Sequence, residues 1–493
     1  MALVCAVVGQ VLLTLPLEGP PVRFGVALPA AAVARGLRAS GDAKLQWRRL
    51  PIGTPDADPV WVELALVGRG RTRITAGGAG PCASGSGEVC VHERGERDTP
   101  VGRETTTRWR WCTGAVDERR RVLFAQAVDH AGERYAAGEA VSTTNHDAVA
   151  RAAPLCGLPP SALARIGALP AVGRLAAPVR QQLLAALPAL RELPGARGAG
   201  DYGRSEGVVT NLEFDTTLAL LRCALATGDV ATLARAERSA RHLVDRDLDR
   251  RSGLPFAHGS EHRSGAPEPG HAWLQGLLWA GCLFAEDDLL HAARALGRAI
   301  AAMPPSGQGR DELARDYAWP LLELEALLAV DPDPTLAAAA DRLAAAIAAR
   351  FDAALCTFRF GEGELGRGLY LERAWLTGGI VLPALRAHLQ RRPDRALQEQ
   401  VAEVQAALLR RVLATPQGLP LHWRCAGGEA FGVHAVRGDP RGALLLCGFE
   451  AADLARLLRR DAVQRHLADM VTADDPDLAT TWTLVGRSGW VWR

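Results

Sequence analysis

Apolar and polar positions alternate along the first third of the chain. Between residues 1 and 145, short apolar runs such as Val22–Leu28 and Val60–Val67 are separated by turns that contain Gly and Pro. Residues 107–111 alternate strictly, so both of their Trp rings would face the same side of a strand. Strands of this length and spacing are typical of a sandwich. We therefore expect an antiparallel β-sandwich-like domain over residues 1–152.

A different pattern recurs from residue 201 onward. An apolar helix is followed by a tight acidic turn and then by an amphipathic helix, as in residues 272–303, where the second helix has its apolar positions at the helical period. Repeats of this length indicate an array of helical hairpins. An inner ring of apolar helices and an outer ring of amphipathic helices would form an α/α toroid over residues 201–493, with an open solenoid as the alternative. Residues 153–200, broken by prolines near their start, are expected to be a linker with the first helices.

Composition excludes several classes of protein. The 57 basic and 55 acidic residues give a formal net charge of +2, so no surface for a nucleic acid is implied. Lys44 is the one lysine of the chain, which argues against a Walker A loop, a protein kinase and a lysine-bound pyridoxal phosphate. The ten cysteines stand singly, without the paired spacing of zinc ribbons or iron–sulfur sites, and most are expected to be free thiols.

The cellular location stays open at the level of the sequence. Residues 1–17 are apolar but lack a basic segment and a clear cleavage site, so no classical signal peptide is recognised. The stretch is too short to cross a bilayer, and no membrane partner is expected. We expect a soluble protein, with a secreted or periplasmic location as an alternative.

The densest group of polar residues lies between the first two clear hairpins, in residues 202–215 and 258–276. Three of the 12 histidines, His258, His262 and His271, fall within 14 residues of a loop that is rich in Gly and Pro. Histidines in a loop beside the start of an inner helix are suited to proton transfer or ligand contact. We therefore place the candidate site in this region.

The order of short motifs in this region resembles that of one enzyme family. The motifs are Asp-Tyr-Gly at 201–203, Asn-x-Glu-Phe-Asp at 211–215, Thr-Gly-Asp at 227–229, Arg-His-Leu-x-Asp at 241–245, His-x-x-x-His at 258–262 and Gly-His-x-Trp-x-x-Gly-Leu at 270–277. In this order they are similar to the exo-rhamnogalacturonan lyase family of polysaccharide lyases. The run Val22–Leu28 and its following proline are similar to a strand near that family's N-terminus. The resemblance implies a β domain and an α/α toroid that act on uronate-containing pectic glycans.

The reaction implied by the resemblance is β-elimination. A base removes the C5 proton of a uronate, and the bond between C4 and its oxygen breaks, so the carboxylate must be neutralised and the enolate-like charge stabilised. His258 and His262 are the expected proton-transfer residues, with Tyr202 as a second proton donor. The expected substrate contacts come from the residues around them, namely Asn211, Glu213, Asp215, Arg263, His271, Trp273 and Gln275. The substrate would be an oligo- or polysaccharide, and no cofactor is firmly implied.

Three alternatives rest on the same residues. Glu213 and Asp215 are paired carboxylates, which a glycoside hydrolase on the same toroid would use across the sugar ring, whereas the structural alternative is that Asp215 caps the helix starting at Thr216. Residues 258–262 have the His-x-x-Glu-His spacing, but nearby Pro and Gly disfavour the helix that a zinc site of this kind needs. A divalent cation is therefore open, and no metal ligand is assigned. A glycan-binding protein without catalytic activity is the third alternative.

Overall fold

The computed structural model describes residues 11–492 with several gaps. The segments outside the description are 19–21, 55–56, 77–89, 112–115, 131–132, 136, 139, 146–176, 191–201, 203–213, 250–251, 257–268, 304–312, 362–363, 367–368, 417, 427–428 and 476–477. Five predicted site residues fall in these segments and lie outside the described residues, namely Asn211, Glu213, His258, His262 and Arg263.

The first part of the chain is built from antiparallel strands, as the alternation predicts. They are β1 (Val11–Glu18), β2 (Val22–Leu28), β3 (Leu37–Ala39), β4 (Lys44–Arg49), β5 (Val60–Val67), β6 (Arg69–Ala76), β7 (Cys90–Thr99), β8 (Gly102–Trp111), β9 (Val116–Phe124), β10 (Val128–His130), β11 (Glu133–Tyr135) and β12 (Ala140–Asn145), with a short helix, α1 (Ala30–Ala34), after β2. The sheets have the orders β1-β6-β3, β2-β5-β4 and β12-β9-β8-β7, and β10 pairs with β11. Their pairings are antiparallel.

Helices dominate the described chain from residue 177. They are α2 (Ala177–Ala186), α3 (Thr216–Thr227), α4 (Val230–His242), α5 (Leu274–Phe284), α6 (Asp287–Ala302), α7 (Trp319–Leu328), α8 (Pro334–Ala348), α9 (Ala374–Leu376), α10 (Leu382–Arg391), α11 (Arg395–Ala414), α12 (Arg441–Leu446), α13 (Ala451–Leu458), α14 (Asp461–Leu467) and α15 (Leu478–Gly486). Asp229, Asp333 and Asp394 cap α4, α8 and α11 by accepting hydrogen bonds from backbone amides. Within the described part of the chain, no helix has both the length and the apolar character needed to cross a membrane.

The helical hairpins close into a ring. The inner layer consists of α3, α5, α7, the consecutive helices α9 and α10, α12 and α15, and each of these packs against the next. α15 returns to α3, where the hydroxyl oxygens of Thr483 and Thr216 lie 3.3 Å apart. The amphipathic helices α4, α6, α8 and α11 lie outside this layer, each packed on the inner helix that precedes it. The closed ring is the predicted toroid arrangement and not an open solenoid.

The inner helices begin at the same end of the ring. At the start of α3, the Asp215 side chain accepts a hydrogen bond of 2.8 Å from the amide of Gly276 in the first turn of α5. The Glu323 side chain of α7 accepts hydrogen bonds from the first amides of α5. Adjacent inner helices therefore run parallel, and the long connections that lead into them lie together. We call this end the N-terminal end of the ring.

A small sheet at the N-terminal end of the ring was not predicted. It consists of β15 (Glu364–Gly366), β16 (Leu369–Glu372), β17 (His422–Ala426) and β18 (Glu429–His434), and a separate pair is formed by β13 (Phe351–Asp352) and β14 (Thr357–Phe358). The four strands lie in the connections that lead into α9 and α12. Each is three to six residues long, which is too short for alternation to be recognised in the sequence.

The inner helix that begins at Ala374 is interrupted. Residues Thr377–Val381 form a π-helical turn between α9 and α10. A Cβ added to Gly378 would lie 2.8 Å from the carbonyl oxygen of Leu445 in α12. The glycine therefore permits a close approach of two inner helices. Such π-helical turns are often found near functional sites.

The N-terminal sheets pack directly on the ring through β2. A Cβ added to Gly25 would lie 1.6 Å from the carbonyl oxygen of Cys282 in α5, so the strand and the helix are in backbone contact. The neighbouring Arg23 is buried, pairs with Glu63 of β5 and donates a hydrogen bond of 2.8 Å to the carbonyl of Ala285. The strand that carries the N-terminal part of the family resemblance is thus the strand that docks on the ring.

Candidate functional site

Asp215 joins the starts of two inner helices. It caps α3, because one carboxylate oxygen accepts a hydrogen bond of 2.9 Å from the amide of Leu218. The other oxygen accepts from Gly276 in α5. The capping alternative for Asp215 is therefore confirmed, and the same carboxylate also fixes the position of α5 against α3.

Glu323 also binds the start of α5, from the inner helix on the other side of α5. It lies in α7, and one carboxylate oxygen accepts hydrogen bonds from the amides of Leu274 and Gln275 at 3.0 and 2.7 Å. Together with Gly276, three successive amides at the start of α5 are bound by carboxylates from the two adjacent inner helices. Unpaired amides and the helix dipole at this position both favour negative charge.

The two carboxylates share one buried environment with Arg487, which follows α15. Burial raises the pKa of Glu323 to about 8, and the charge of Asp215 contributes in the same direction. Burial also raises the pKa of Asp215, against the opposing effect of Arg487. Two buried carboxylates that repel each other cannot both ionise easily, even with the guanidinium groups of Arg487 and Arg222 acting on Asp215. We infer that the pair holds a proton at neutral pH.

Three aromatic rings pack beside these carboxylates. The ring of Trp273 lies 5.1 Å from that of Trp319 in an edge-on arrangement, and Phe214 lies 6.2 Å from each of them. The guanidinium of Arg487 is 4.8 Å from the centre of the Trp273 ring, which is a cation–π distance. The rings are almost fully buried. In this structure Trp273 and Trp319 are core residues.

Polar atoms around this cluster lack hydrogen-bond partners. Among the described residues, Trp319 Nε1, Glu323 Oε1 and Arg487 Nη1 are buried and make no hydrogen bond. Trp319 and Glu323 are four residues apart on α7, so their side chains lie on the same helix face. Such polar groups are costly when they are buried, and here they lie around the two carboxylates.

His271 stands at the start of α5, in a short 3₁₀ turn (Pro269–His271). Its Nε2 atom lies 3.0 Å from Nη1 of Arg315, and the guanidinium of Arg315 is 5.3 Å from the centre of the Trp319 ring. Arg315 belongs to the π-helical turn Leu313–Ala318 that leads into α7. Because a guanidinium only donates, the geometry favours a His271 whose Nε2 accepts a hydrogen bond.

The structure brings together part of the predicted site. Asp215, Trp273, Gln275 and His271 lie at the starts of α3 and α5. The fifth described residue, Tyr202, is buried and packs on the outer helix α4, where its hydroxyl accepts a hydrogen bond of 3.1 Å from Nε of Arg235. The guanidinium of Arg235 also lies over the Tyr202 ring.

Three residues at this end were not predicted from the sequence. Glu323 is the one for which the sequence offered a sign, because an acid that interrupts an apolar inner helix must be buried beside a partner. Arg315 and Arg487 gave no such sign in a chain this rich in arginine. Among the described residues, no three His, Cys, Asp or Glu side chains are grouped as metal ligands. His258 and His262, for which the sequence left a divalent cation open, lie outside the described residues.

Comparisons with known proteins give distant similarities in fold. No protein-family model matches the chain, and no curated protein matches it. A cellobiose 2-epimerase from Bacillus thermoamylovorans aligns with a TM-score of 0.42 and 13% identity over 59% of this chain and 84% of its own. A polysaccharide lyase gives 0.40 and 13% over 57% and 89%. A family 76 glycoside hydrolase from a bovine Bacteroides thetaiotaomicron strain gives 0.45 and 8% over 98% of both chains. Likenesses this distant assign neither a reaction nor a substrate to the chain.

Proposed function

We propose that the chain is a carbohydrate-active enzyme, a polysaccharide lyase that cleaves uronate-containing, rhamnogalacturonan-type glycans by β-elimination. Its active site is the N-terminal end of the ring. In this proposal residues 1–152 form a β-sandwich-like domain, residues 153–200 connect it to the ring, and residues 201–493 are the catalytic toroid. The partner is an oligo- or polysaccharide, as in the degradation of pectin.

The neighbourhood of Phe214 and Trp273 supports this proposal. The candidate segment 203–213 leads into Phe214, and the candidate segment 257–268 leads into Pro269 and Trp273. The rings of Phe214 and Trp273, which follow the two segments in the sequence, lie 6.2 Å apart. A site made from both segments requires that Phe214 and Trp273 lie close together.

The proposed chemistry begins with the C5 proton of a uronate. His258 or His262 takes the proton, the electron pair forms the double bond between C4 and C5, and the bond from C4 to the departing oxygen breaks. That oxygen receives a proton from the other histidine, because the predicted donor Tyr202 is buried against α4 with its hydroxyl bound to Arg235. Histidine suits this task because its pKa lies near neutral pH.

Substrate binding in the proposal neutralises the uronate carboxylate. Asn211 and Arg263 bind it directly, since a neutralised carboxylate makes the neighbouring C5 proton more acidic. Glu213, His271 and Gln275 orient the sugar. The guanidinium of Arg315, 3.0 Å from His271, adds positive charge at the same end of the ring.

A glycoside hydrolase is the second candidate, and a pair of carboxylates other than the predicted Glu213 and Asp215 favours it. Asp215 and Glu323 bind adjacent amides of α5, and burial raises the pKa of both. Two acids in which one keeps its proton at neutral pH can serve as acid and base in glycoside hydrolysis. In the lyase proposal these two carboxylates orient the helices and do not act on the substrate.

Turnover of a rhamnogalacturonan oligosaccharide by purified variants tests the proposal. His258→Ala and His262→Ala should each lower kcat by about 100-fold or more if the residue transfers a proton. Arg263→Gln should raise KM as well as lower kcat, because a carboxylate contact exists in both the ground state and the transition state. The product to follow is the unsaturated uronate, detected by its ultraviolet absorbance.

His291→Ala is the matched control, because His291 is exposed on the outer helix α6. This variant should turn over the oligosaccharide at the rate of the unmodified protein. If both His258→Ala and His262→Ala turn over the substrate at a rate near that of the unmodified protein, neither histidine transfers a proton in the reaction.

A further inference from the structure

The second group of basic residues at the N-terminal end of the ring lies on the sheet β15-β16-β17-β18. Trp423 and Cys425 of β17 are buried on the ring side, so their neighbours His422 and Arg424 face away from the core. Arg424 pairs across the strands with Phe431 of β18. Residues paired in this way share one face of the sheet.

A β-bulge adds a second histidine to this face. His422 pairs with His434 and Arg424 pairs with Phe431, so β18 has one residue more than β17 between the two pairs. Gly432 lies in this interval with φ of 56°, a left-handed conformation that suits glycine. In a regular strand Phe431 and His434, which are three positions apart, would point to opposite faces, and the bulge returns them to the same face. We call His422, Arg424, Phe431 and His434 the histidine face.

The histidine face combines positive charge with exposed aromatic rings. The rings of His422 and His434 are stacked with their centres 4.5 Å apart, and Phe431 is 43% exposed. Arg373, which follows β16, and Arg441, at the start of α12, act electrostatically on His422 together with Arg424. Asp439, between β18 and α12, is held by Arg441 through hydrogen bonds of 2.5–3.2 Å. Positive charge therefore exceeds negative charge among these described residues.

We propose that the histidine face is a binding subsite for an acidic sugar, whose carboxylate is bound by Arg424 and His434 while its ring packs on Phe431. The inference rests on the proposed substrate class and adds a second place where the glycan is held. Aromatic packing with a cationic neighbour is a physical match to a uronate, which has a weakly polar ring face and one negative group. The subsite lies at the same end of the ring as His271.

Calorimetric binding of a galacturonate trisaccharide and of its methyl ester tests the subsite. The ester has the same rings without the charges. Arg424→Gln and His434→Gln should each weaken binding of the acid by about five- to tenfold, as expected for a charge-assisted hydrogen bond, and leave the ester unchanged. Phe431→Ala should weaken both ligands. Arg456→Gln, an exposed arginine on α13, is the matched control and should bind as the unmodified protein does.

Several outcomes overturn the inference. Equal affinity of the unmodified protein for acid and ester would exclude recognition of the negative charge. Unchanged affinity in Arg424→Gln and His434→Gln would show that the acid does not bind at the histidine face. Inorganic phosphate that competes fully while Phe431→Ala has no effect would reduce it to an anion site without sugar recognition. A protein that binds the acid through these residues but forms no unsaturated product would refute the lyase proposal alone. Lyase turnover with no effect of the three variants on binding would refute the subsite alone.

Discussion

The Oδ1 atom of Asp215 occupies the space that a side chain on residue 276 would need. A Cβ added to Gly276 would lie 2.2 Å from that oxygen and 2.6 Å from the amide nitrogen of Leu218. The absence of a side chain at residue 276 thus allows the carboxylate to reach the amides of both α3 and α5. Gly276, the glycine near the end of the Gly-His-x-Trp-x-x-Gly-Leu motif, therefore has a structural role in this chain.

Gly276→Ala is expected to destabilise the protein by about 2 kcal/mol or more, because backbone and a buried cap would have to move. Urea unfolding measures the change. Gly95→Ala, on the exposed part of β7 with no atom within 4 Å of the added Cβ, is the matched control and should stay within about 0.5 kcal/mol. Equal effects of the two substitutions would show that Asp215 does not hold α3 and α5 together.

Glu323 should make the protein less stable as the pH rises. Its pKa is 4.5 when exposed and is raised to about 8 by burial and by Asp215. A carboxyl whose folded pKa is raised contributes its full stability below pH 4.5 and loses it as the pH rises through about 8. Glu323→Gln, which keeps an oxygen to accept from Leu274 and Gln275, should therefore flatten the pH dependence over this window. Parallel pH profiles of the free energy of unfolding in both proteins would contradict the assignment.

Arg23 should couple the N-terminal sheets to the ring. It is 1% exposed between Glu63 and the carbonyl of Ala285, and Arg23→Met leaves a buried carboxylate with less compensation. We expect a loss of about 2–4 kcal/mol in the free energy of unfolding, measured in urea. Arg73→Met, at an exposed position of β6, should change it by less than about 0.5 kcal/mol. A small effect at both positions would mean that the ion pair does not hold the two parts together.

His422 should make acidic-sugar binding dependent on pH. Burial lowers its pKa below the ordinary 6.5, and His434, Arg373, Arg441 and Arg424 act in the same direction. A bound carboxylate would raise the pKa of His422 again, so binding of the trisaccharide takes up a proton. The affinity for the galacturonate trisaccharide should therefore rise as the pH falls toward the lowered pKa of His422. The methyl ester should show no such rise. Calorimetry in buffers of different ionisation enthalpy measures the proton uptake, and its absence with the acid would contradict the prediction.

The helical hairpins could be predicted from the sequence because each has a strong local pattern. Apolar first helices, amphipathic second helices and capping acids such as Asp229 and Asp394 depend on neighbours in the chain. The free thiols among the described cysteines, including Cys223 and Cys282, likewise agree with the unpaired spacing. Asp215 was recognised, since a helix cap and a site residue share the same sequence position.

The rest of the site depends on contacts between distant parts of the chain. Glu323 reaches the start of α5 across 49 positions, and Arg487 returns to Trp273 from the far end of the chain. The sheet that carries the histidine face joins strands from two separate connections, and its orientation depends on a single bulge at Gly432. Neither a periodicity nor a local motif records such contacts.

The central claim is that this protein breaks a uronate glycan by elimination, and the masses of the two fragments test it most directly. The unmodified protein is incubated with a rhamnogalacturonan oligosaccharide in water enriched in heavy oxygen, and the products are analysed by mass spectrometry. Elimination predicts that the fragment carrying the uronate at its new non-reducing end is one water lighter than the hydrolysis product, and that neither fragment gains heavy oxygen at the cleaved bond. Fragments that contain one heavy oxygen and no unsaturated uronate would contradict the lyase account and assign hydrolysis instead.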